Sequence, residues 1–385
     1  MATKIFSNEE LITYAETRLF GSNVTRDDVD KFHLYNGVLP SDMKKHLAKN
    51  HGNNIILVGQ KNRREPLFFT PDTRALHIPQ YSGISRESRY EEMIKAYLQV
   101  SNMDPNGFQA HAPIDKHGAQ NHRLTLQHYD NYAYDFVTGL VVPEPRHNKQ
   151  RIFKNQDISD IDTIVFGPPS AMAKQGELIA QGKSEYLDAQ ILNIHGKKVL
   201  NIGYVFADQA ATIISKLLRE YDAISREDQL KREITMYLFG RVGGLTKEMK
   251  RDDLIMPNSV IDLSEIYSPT RPILPFHNIL GDRSQGRVEQ TVLNVKPVVN
   301  ETYGELEAAI AAGCRAVEME SMWCAESINH ASRVYQRNLT IHFGFVGHVS
   351  DLPLVPGDSL AKELETDDGE QRAVQKIVEH IQDNH

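Results

Sequence analysis

The stretch "KKVLNIGYVFADQAATIISKLL" (residues 197–218) decides the fold class. Its opening apolar run reads as a strand, Gly203 interrupts it, and the remainder carries apolar residues at helical spacing. A strand that turns on a glycine into an amphipathic helix is the repeating unit of an α/β sheet. The pattern recurs on both sides. "IDTIVFGPPS" (161–170) reads as a strand and a glycine-proline turn, and "EITMYLFGRVGGL" (233–245) as a strand ending in glycines. "DDLIMPNSVID" (252–262), "TVLNVKPVV" (291–299) and "LTIHFGFVGHVSD" (339–351) read as further strands. "NETYGELEAAIAAG" (300–313) reads as a helix capped by Asn300 or Thr302 and stopped by Gly313, and "EQRAVQKIVEHIQ" (370–382) as a closing helix. The alternation predicts an α/β, three-layer αβα sandwich around a central mixed sheet over residues 151–385.

The first 150 residues read differently, as polar and irregular, and predict a smaller N-terminal α+β domain. "SNEELITYAETRLF" (7–20) is a helix with Ser7 as N-cap and Glu10 three positions later, a capping box. "NNIILVG" (53–59) and "EPLFFT" (65–70) are short strand candidates around the basic turn "QKNRR" (60–64), and "ESRYEEMIKAYLQV" (87–100) is a helix. The region from Ser101 to His122 reads as loop, and "VVPEPRHNKQ" (141–150) as a linker. Nucleotide-phosphate binding or oligomerisation are the roles considered for this domain.

Composition narrows the function classes. The chain has 385 residues and a net charge of −8, so it carries no broad basic field for nucleic acid or an anionic membrane. No apolar run approaches the roughly 20 residues of a membrane span, and "MATKIFSNEE" lacks the apolar segment of a secretory signal. Cys314 and Cys324 form neither a CxxC pair nor a disulfide framework and read as buried thiols in a reducing, cytoplasmic compartment. The histidine-rich "QAHAPIDKHGAQNH" (109–122) has no compact ligand spacing and reads as a polar loop. No metal or cofactor is expected.

The polar residues that stand out lie at strand ends, where α/β sheets gather ligands. In "FGRVGGL" (239–245) glycines permit close backbone approach and Arg241 adds a fixed charge. "AVEMES" (316–321) sets Glu318 and Glu320 around Met319, and "HVSDLPL" (348–354) ends an apolar strand on Ser350 and Asp351. Two strand-end carboxylates suit a reaction in which one binds sugar hydroxyls and the other moves a proton.

Taken in order, "GRVGGL", "AVEMES" and "HVSDLPL" resemble the motifs of the nucleoside phosphorylase and nucleosidase superfamily, which cleaves N-glycosidic bonds of nucleosides. "VLNIGYVFADQAATIISKLL" is similar to the core of its AMP nucleosidase branch. Fainter similarity runs through "DTRALHIPQYSG", "RYEEMIKAYL" and "LQHYDNY". The resemblance implies hydrolysis of a purine nucleotide or nucleoside, AMP to adenine and ribose 5-phosphate being the specific expectation, with phosphorolysis as the alternative. By the same resemblance Asp351 is the general acid at purine N7, and Glu320 holds the ribose hydroxyls. Met319 packs on sugar or base, and the backbone at Gly243 and Gly244 lines the base or anion site. Glu318 touches either ribose or a structural partner. Arg86 and Arg89, in "SGISRESRY", are candidates for a 5′-phosphate. A homo-oligomer, dimer to hexamer, is also implied.

Three departures qualify the pattern. "FGPPSAMAK" places Ser170 where phosphorylases of the superfamily carry arginine, which favours water over phosphate. "GYVFAD" sets bulky Tyr204 and Phe206 in a turn that is usually glycine- and serine-rich. The interval from Glu320 to Asp351 is longer than usual, with the excess assigned to "NHASRVYQRN" (329–338) as a longer helix or loop. These departures motivate a second class, a non-catalytic purine nucleotide sensor on the same fold.

Overall fold

The computed structural model describes residues 5–59, 66–113, 122–141, 152–153, 158–205, 207–268, 273–281, 290–295, 301–355, 357–358 and 368–383. The "QKNRR" turn, the 142–150 part of the linker, Phe206 and Asn300 lie outside the described residues. The chain divides into two compact units. The first comprises Met1–Tyr132, Pro297–Thr302 and Ser359–Lys362, and the second comprises Ala133–Lys296, Tyr303–Asp358 and Glu363–His385.

The first unit is more regular than its polar sequence suggests. Helices α1 (Asn8–Leu19), α2 (Pro40–His51) and α3 (Ile84–Val100) accompany strands β1 (Lys31–Asn36), β2 (Ile56–Leu57), β3 (Phe68–Thr70), β4 (Ala75–Gln80) and β5 (Phe108–His111). The strands form one sheet in the order β2-β3-β4-β1-β5, with β1 parallel to both β4 and β5. The predicted capping box is present: Glu10 N–H donates to Ser7 Oγ, and Ser7 N–H donates to Glu10 Oε2. The segment 53–59 contributes only the two-residue β2. β1 and β4 escaped prediction because their apolar residues alternate with histidine and tyrosine. Phe32 and Leu34 are buried, while His33 and Tyr35 line the other face. Phe32 meets Tyr97 of α3 edge-on at 6.3 Å. Met43 and Leu47 of α2 pack with Phe68, and Tyr35 joins them.

Helix α4 (His122–Val141) runs across the division. The second unit then holds β6 (Thr163–Phe166), α5 (Pro169–Met172), β7 (Glu177–Lys183), β8 (Asp188–Ile194), β9 (Lys197–Ile202), α6 (Ala207–Asp228) and β10 (Arg232–Gly244). After these come β11 (Leu254–Ile255), β12 (Ser259–Asp262), β13 (Leu274–Pro275), β14 (Thr291–Asn294), α7 (Tyr303–Ala311), β15 (Cys314–Glu318), α8 (Ser321–Val334), β16 (Leu339–Asp351) and α9 (Asp368–Asp383). The sheet is mixed, in the order β13-β12-β14-β15-β10-β6-β9-β8-β7, with β16 paired to β10 and β11 to β16. Helices flank it. α6 packs with α8, while Ala373, Val374, Ile377, Val378 and Ile381 of α9 join Val165, Tyr237, Phe239 and Val346 in a buried cluster.

The single strand predicted over 252–262 is two, because Pro257 has no N–H to give a ladder and interrupts the pairing. β11 pairs with β16 and β12 with β14. The strand predicted over 291–299 is described only as Thr291–Asn294. The interval between Glu320 and Asp351 holds α8, a turn over residues 335–338 and β16, so 329–338 is the end of a helix and a turn.

Asn278 ties the 278–280 turn to β16. Its Nδ2 donates to Pro257 O and Phe345 O, each at 2.7 Å, and its Oδ1 accepts from Phe345 N–H at 3.0 Å and Leu280 N–H at 3.1 Å. Removing this amide leaves buried backbone groups unpaired. Asn278→Ala is expected to lower unfolding free energy by about 3 kcal/mol in urea titration, whereas a change within experimental error would show that the four bonds are replaceable.

Candidate active site

β10 organises the site. One edge pairs with β16 in parallel for most of its length, and the other takes β6 early and β15 late. At its C-terminal end Gly243 lies opposite Asp351 on β16 and Val317 on β15, and Gly244 lies opposite Ala316. Both positions are crowded. A Cβ on Gly243 would stand 2.8 Å from Val317 Cγ1 and 3.2 Å from Pro353 Cδ, and one on Gly244 would stand 2.9 Å from Leu352 Cδ2. The three motifs of the sequence therefore converge at one end of the sheet.

Asp351 is 4 % exposed. Its Oδ1 accepts from Ser350 Oγ at 2.8 Å, and among the described residues no donor reaches Oδ2. Burial pushes the carboxyl up to about 7, and the Ser350 hydrogen bond and the Arg251 charge oppose that rise without cancelling it. Arg251 is itself held by Asp358, with Nε donating to Oδ1 at 2.6 Å. Leu352 N–H to Asp358 O (3.0 Å) and Asp358 N–H to Val355 O (3.0 Å) close the loop that follows. The Arg251–Asp358 pair escaped the sequence reading, since a charged loop residue carries no local signal of a partner on another segment.

The glutamates of "AVEMES" take different positions. Glu318 ends β15, is 4 % exposed, and caps α8. Its Oε2 accepts from Glu320 N–H (2.6 Å) and Ser321 N–H (2.7 Å), and its Oε1 accepts from Ser321 Oγ (2.6 Å). Burial raises its pKa, against these three bonds. A carboxylate over the first N–H groups of a helix also meets the positive end of the helix dipole. Met319 and Glu320 form the turn between β15 and α8, and both are half-buried. The free thiols Cys314 and Cys324 are buried, and burial pushes the Cys324 thiol up, aided by the charges of Glu318 and Glu320.

The arginines lie elsewhere. Arg241 is 46 % exposed and stands 3.3 Å from Glu370 of α9, whose Oε2 also accepts from Tyr204 OH at 2.8 Å. Tyr204 thus turns toward α9, packed on Phe239 at 5.7 Å. Arg86 and Arg89 belong to α3 in the first unit. Arg89 Nε donates to Tyr14 OH at 3.1 Å, Arg86 lies 5.3 Å from the Tyr90 ring, and Arg18 lies 3.5 Å from the Tyr14 ring. Burial lowers Arg18 to about 10. His348 is fully buried, stacked on Phe239 at 5.6 Å and 3.9 Å from Asp252. Among the described residues no helix is long and apolar enough to cross a membrane, and no group of three or more His, Cys, Asp and Glu is arranged to hold a metal ion.

Comparison with known proteins gives a partial answer. No family model matches the chain, and no curated protein sequence matches it. Solved structures that resemble part of it are nucleosidases and nucleoside phosphorylases. The 5′-methylthioadenosine/S-adenosylhomocysteine nucleosidase of Neisseria meningitidis is 15% identical, with a TM-score of 0.42 over 58% of this chain and 100% of its own. Uridine phosphorylase from Schistosoma mansoni is 14% identical, with a TM-score of 0.41 over 59% of this chain and 88% of its own. Purine nucleoside phosphorylase from Toxoplasma gondii is 11% identical, with a TM-score of 0.41 over 60% of this chain and 95% of its own.

Two consequences follow for stability. Asp351 has a folded pKa above its unfolded value, so between about pH 4 and about pH 7 the fold holds a proton that the unfolded chain has released. Stability therefore falls as pH rises through that window and levels off above it. Asp351→Asn keeps the shape and the Ser350 bond without the charge. It should be more stable than the parent at pH 8.5 by an amount on the order of a few kcal/mol, and equally stable near pH 4 in thermal melts. Glu318→Ala leaves the start of α8 uncapped, and urea unfolding should show a loss of about 2 kcal/mol. Glu318→Gln, which keeps acceptor oxygen, should lose less.

Proposed function

We propose that the second unit hydrolyses the N-glycosidic bond of a purine nucleotide or nucleoside, with AMP as the specific substrate proposed. One observation carries the reading: a buried carboxyl that keeps its proton near neutral pH, Asp351, stands at the strand end shared with Gly243 and the "AVEMES" turn. A purine leaves poorly as an anion and well once protonated. Asp351 gives its proton to purine N7 as the C1′–N9 bond breaks, and the apolar surroundings that raise its pKa are what make it an acid at pH 7. Glu320 accepts hydrogen bonds from the ribose hydroxyls and places negative charge near the oxocarbenium-like sugar. Glu318 acts through its hydrogen bonds to Glu320 and Ser321, holding the turn in place rather than gripping sugar. Met319 packs against the ribose, Ser350 orients Asp351, and the backbone at Gly243 and Gly244 lines the base. Water attacks C1′.

Arg241 is the phosphate-binding candidate, since its exposed guanidinium can exchange Glu370 for a substrate phosphate. Arg86 and Arg89 enter only as a cationic pair of the other unit that is able to hold an anion.

Incubation with AMP, adenosine and inosine, with and without phosphate, while following free base, tests the reading. Release without phosphate is expected. Release that requires phosphate would replace hydrolysis by phosphorolysis, and tight binding without release would leave a sensor. Asp351→Asn should lose about 10³-fold in kcat with ligand affinity retained. The parent's rate should decline as pH rises through about 7, where the acid loses its proton. A variant with near-normal turnover would remove Asp351 as the acid.

A further inference from the structure

The first unit gathers five histidines that the proposed reaction does not use. The registers set His33 of β1 beside His77 of β4, and Tyr35 of β1 beside His111 of β5. Helix α2, packed over Tyr35, adds His46 and His51. The rings form two stacks, His33 on His77 (5.2 Å, 14°) and Tyr35 on His111 (4.5 Å, 13°).

Their polar partners separate structural rings from available ones. His77 is buried with both nitrogens engaged, Nδ1 with Tyr35 OH at 3.2 Å and Nε2 with Thr70 Oγ1 at 2.9 Å. His51 Nδ1 meets Asp72 at 2.8 Å, and His46 Nε2 faces Asn50 at 3.2 Å. His33 Nδ1 and His111 Nε2 face each other at 2.9 Å, and both rings are half-buried, within reach of solvent. They are 78 residues apart in sequence, so no local spacing announces the pair.

We propose that His33 Nδ1 and His111 Nε2 form a two-imidazole site for a divalent transition ion of tetragonal preference, Cu(II) or Ni(II), with water completing the coordination. Two cis nitrogens about 2.0 Å from such an ion stand roughly 2.8–2.9 Å apart, the separation already present. The rings swing so that lone pairs directed at each other turn toward the ion. The ring that donated the shared N–H moves that proton to its other nitrogen, and no net proton is lost. Neutral nitrogen donors favour these ions over Mg²⁺ or Ca²⁺.

The groups around the pair are Lys31, His46, His77, Tyr35 and the His51–Asp72 pair. The two stacks flank the ligand rings, as outer-shell groups do around metal ligands.

Isothermal titration of the full chain with Ni²⁺ tests the site. The affinity of one site should fall at least about tenfold in His33→Ala and in His111→Ala, and less than about threefold in the exposed His46→Ala. Circular dichroism checks that each variant folds. Should either variant fail to fold, paramagnetic resonance of the Cu²⁺-loaded parent supplies the answer. Hyperfine splitting from two equatorial imidazole nitrogens supports the site. Unchanged affinity in folded His33→Ala and His111→Ala, or a Cu²⁺ spectrum with one imidazole nitrogen or none, overturns it.

Discussion

Everything in the candidate site depends on how closely three strands approach at the end of β10. Gly243 and Gly244 sit where a Cβ would crowd the side chains of Val317, Pro353 and Leu352, and the backbone of β10 pairs there with both β15 and β16. That pairing sets Asp351 and the Met319–Glu320 turn at the same end of the sheet, on either side of β10, although they are distant in sequence. The register shift between Val242 and Gly243 falls at this point too, and irregular pairing of this kind re-aims side chains at a strand end.

Two buried carboxyls then meet different fates for physical reasons. Glu318 accepts three hydrogen bonds at a helix N-terminus, which oppose the rise that burial imposes without cancelling it. Asp351 accepts one, from Ser350, with Arg251 acting from a greater remove and partly neutralised by Asp358. The first arrangement suits a carboxyl pinned by its hydrogen bonds that shapes a turn, and the second suits a group that gains and loses a proton near neutrality. The half-buried Glu320, more exposed than either, suits a hydrogen-bond acceptor for hydroxyl groups.

Much of the second unit was legible because its strands are apolar, end on glycines and are followed by amphipathic helices, as in Lys197–Ile202 and α6. The ends of β10, β15 and β16 could be marked as functional because charged residues close apolar runs there. Less legible were features set by tertiary contact. The Pro257 break splits one apparent strand between two partners. The engagement of Arg241 with Glu370 depends on a helix far along the chain. The first unit was read as irregular because His33, Tyr35 and His77 interrupt its strands, yet those residues face away from the apolar layer of Phe32 and Leu34 and do not weaken it. The loop reading of residues 109–122 missed that His111 ends a strand beside His33.

The central claim is that Asp351 is a neutral acid at the pH where the chain works. Infrared difference spectra between the parent and Asp351→Asn, recorded from pH 5 to pH 9, isolate the carboxyl C=O stretch of this residue. A protonated band that disappears with a midpoint near 7 is the predicted result. A carboxylate already ionised at pH 5, titrating in the ordinary range near 4, would contradict the account.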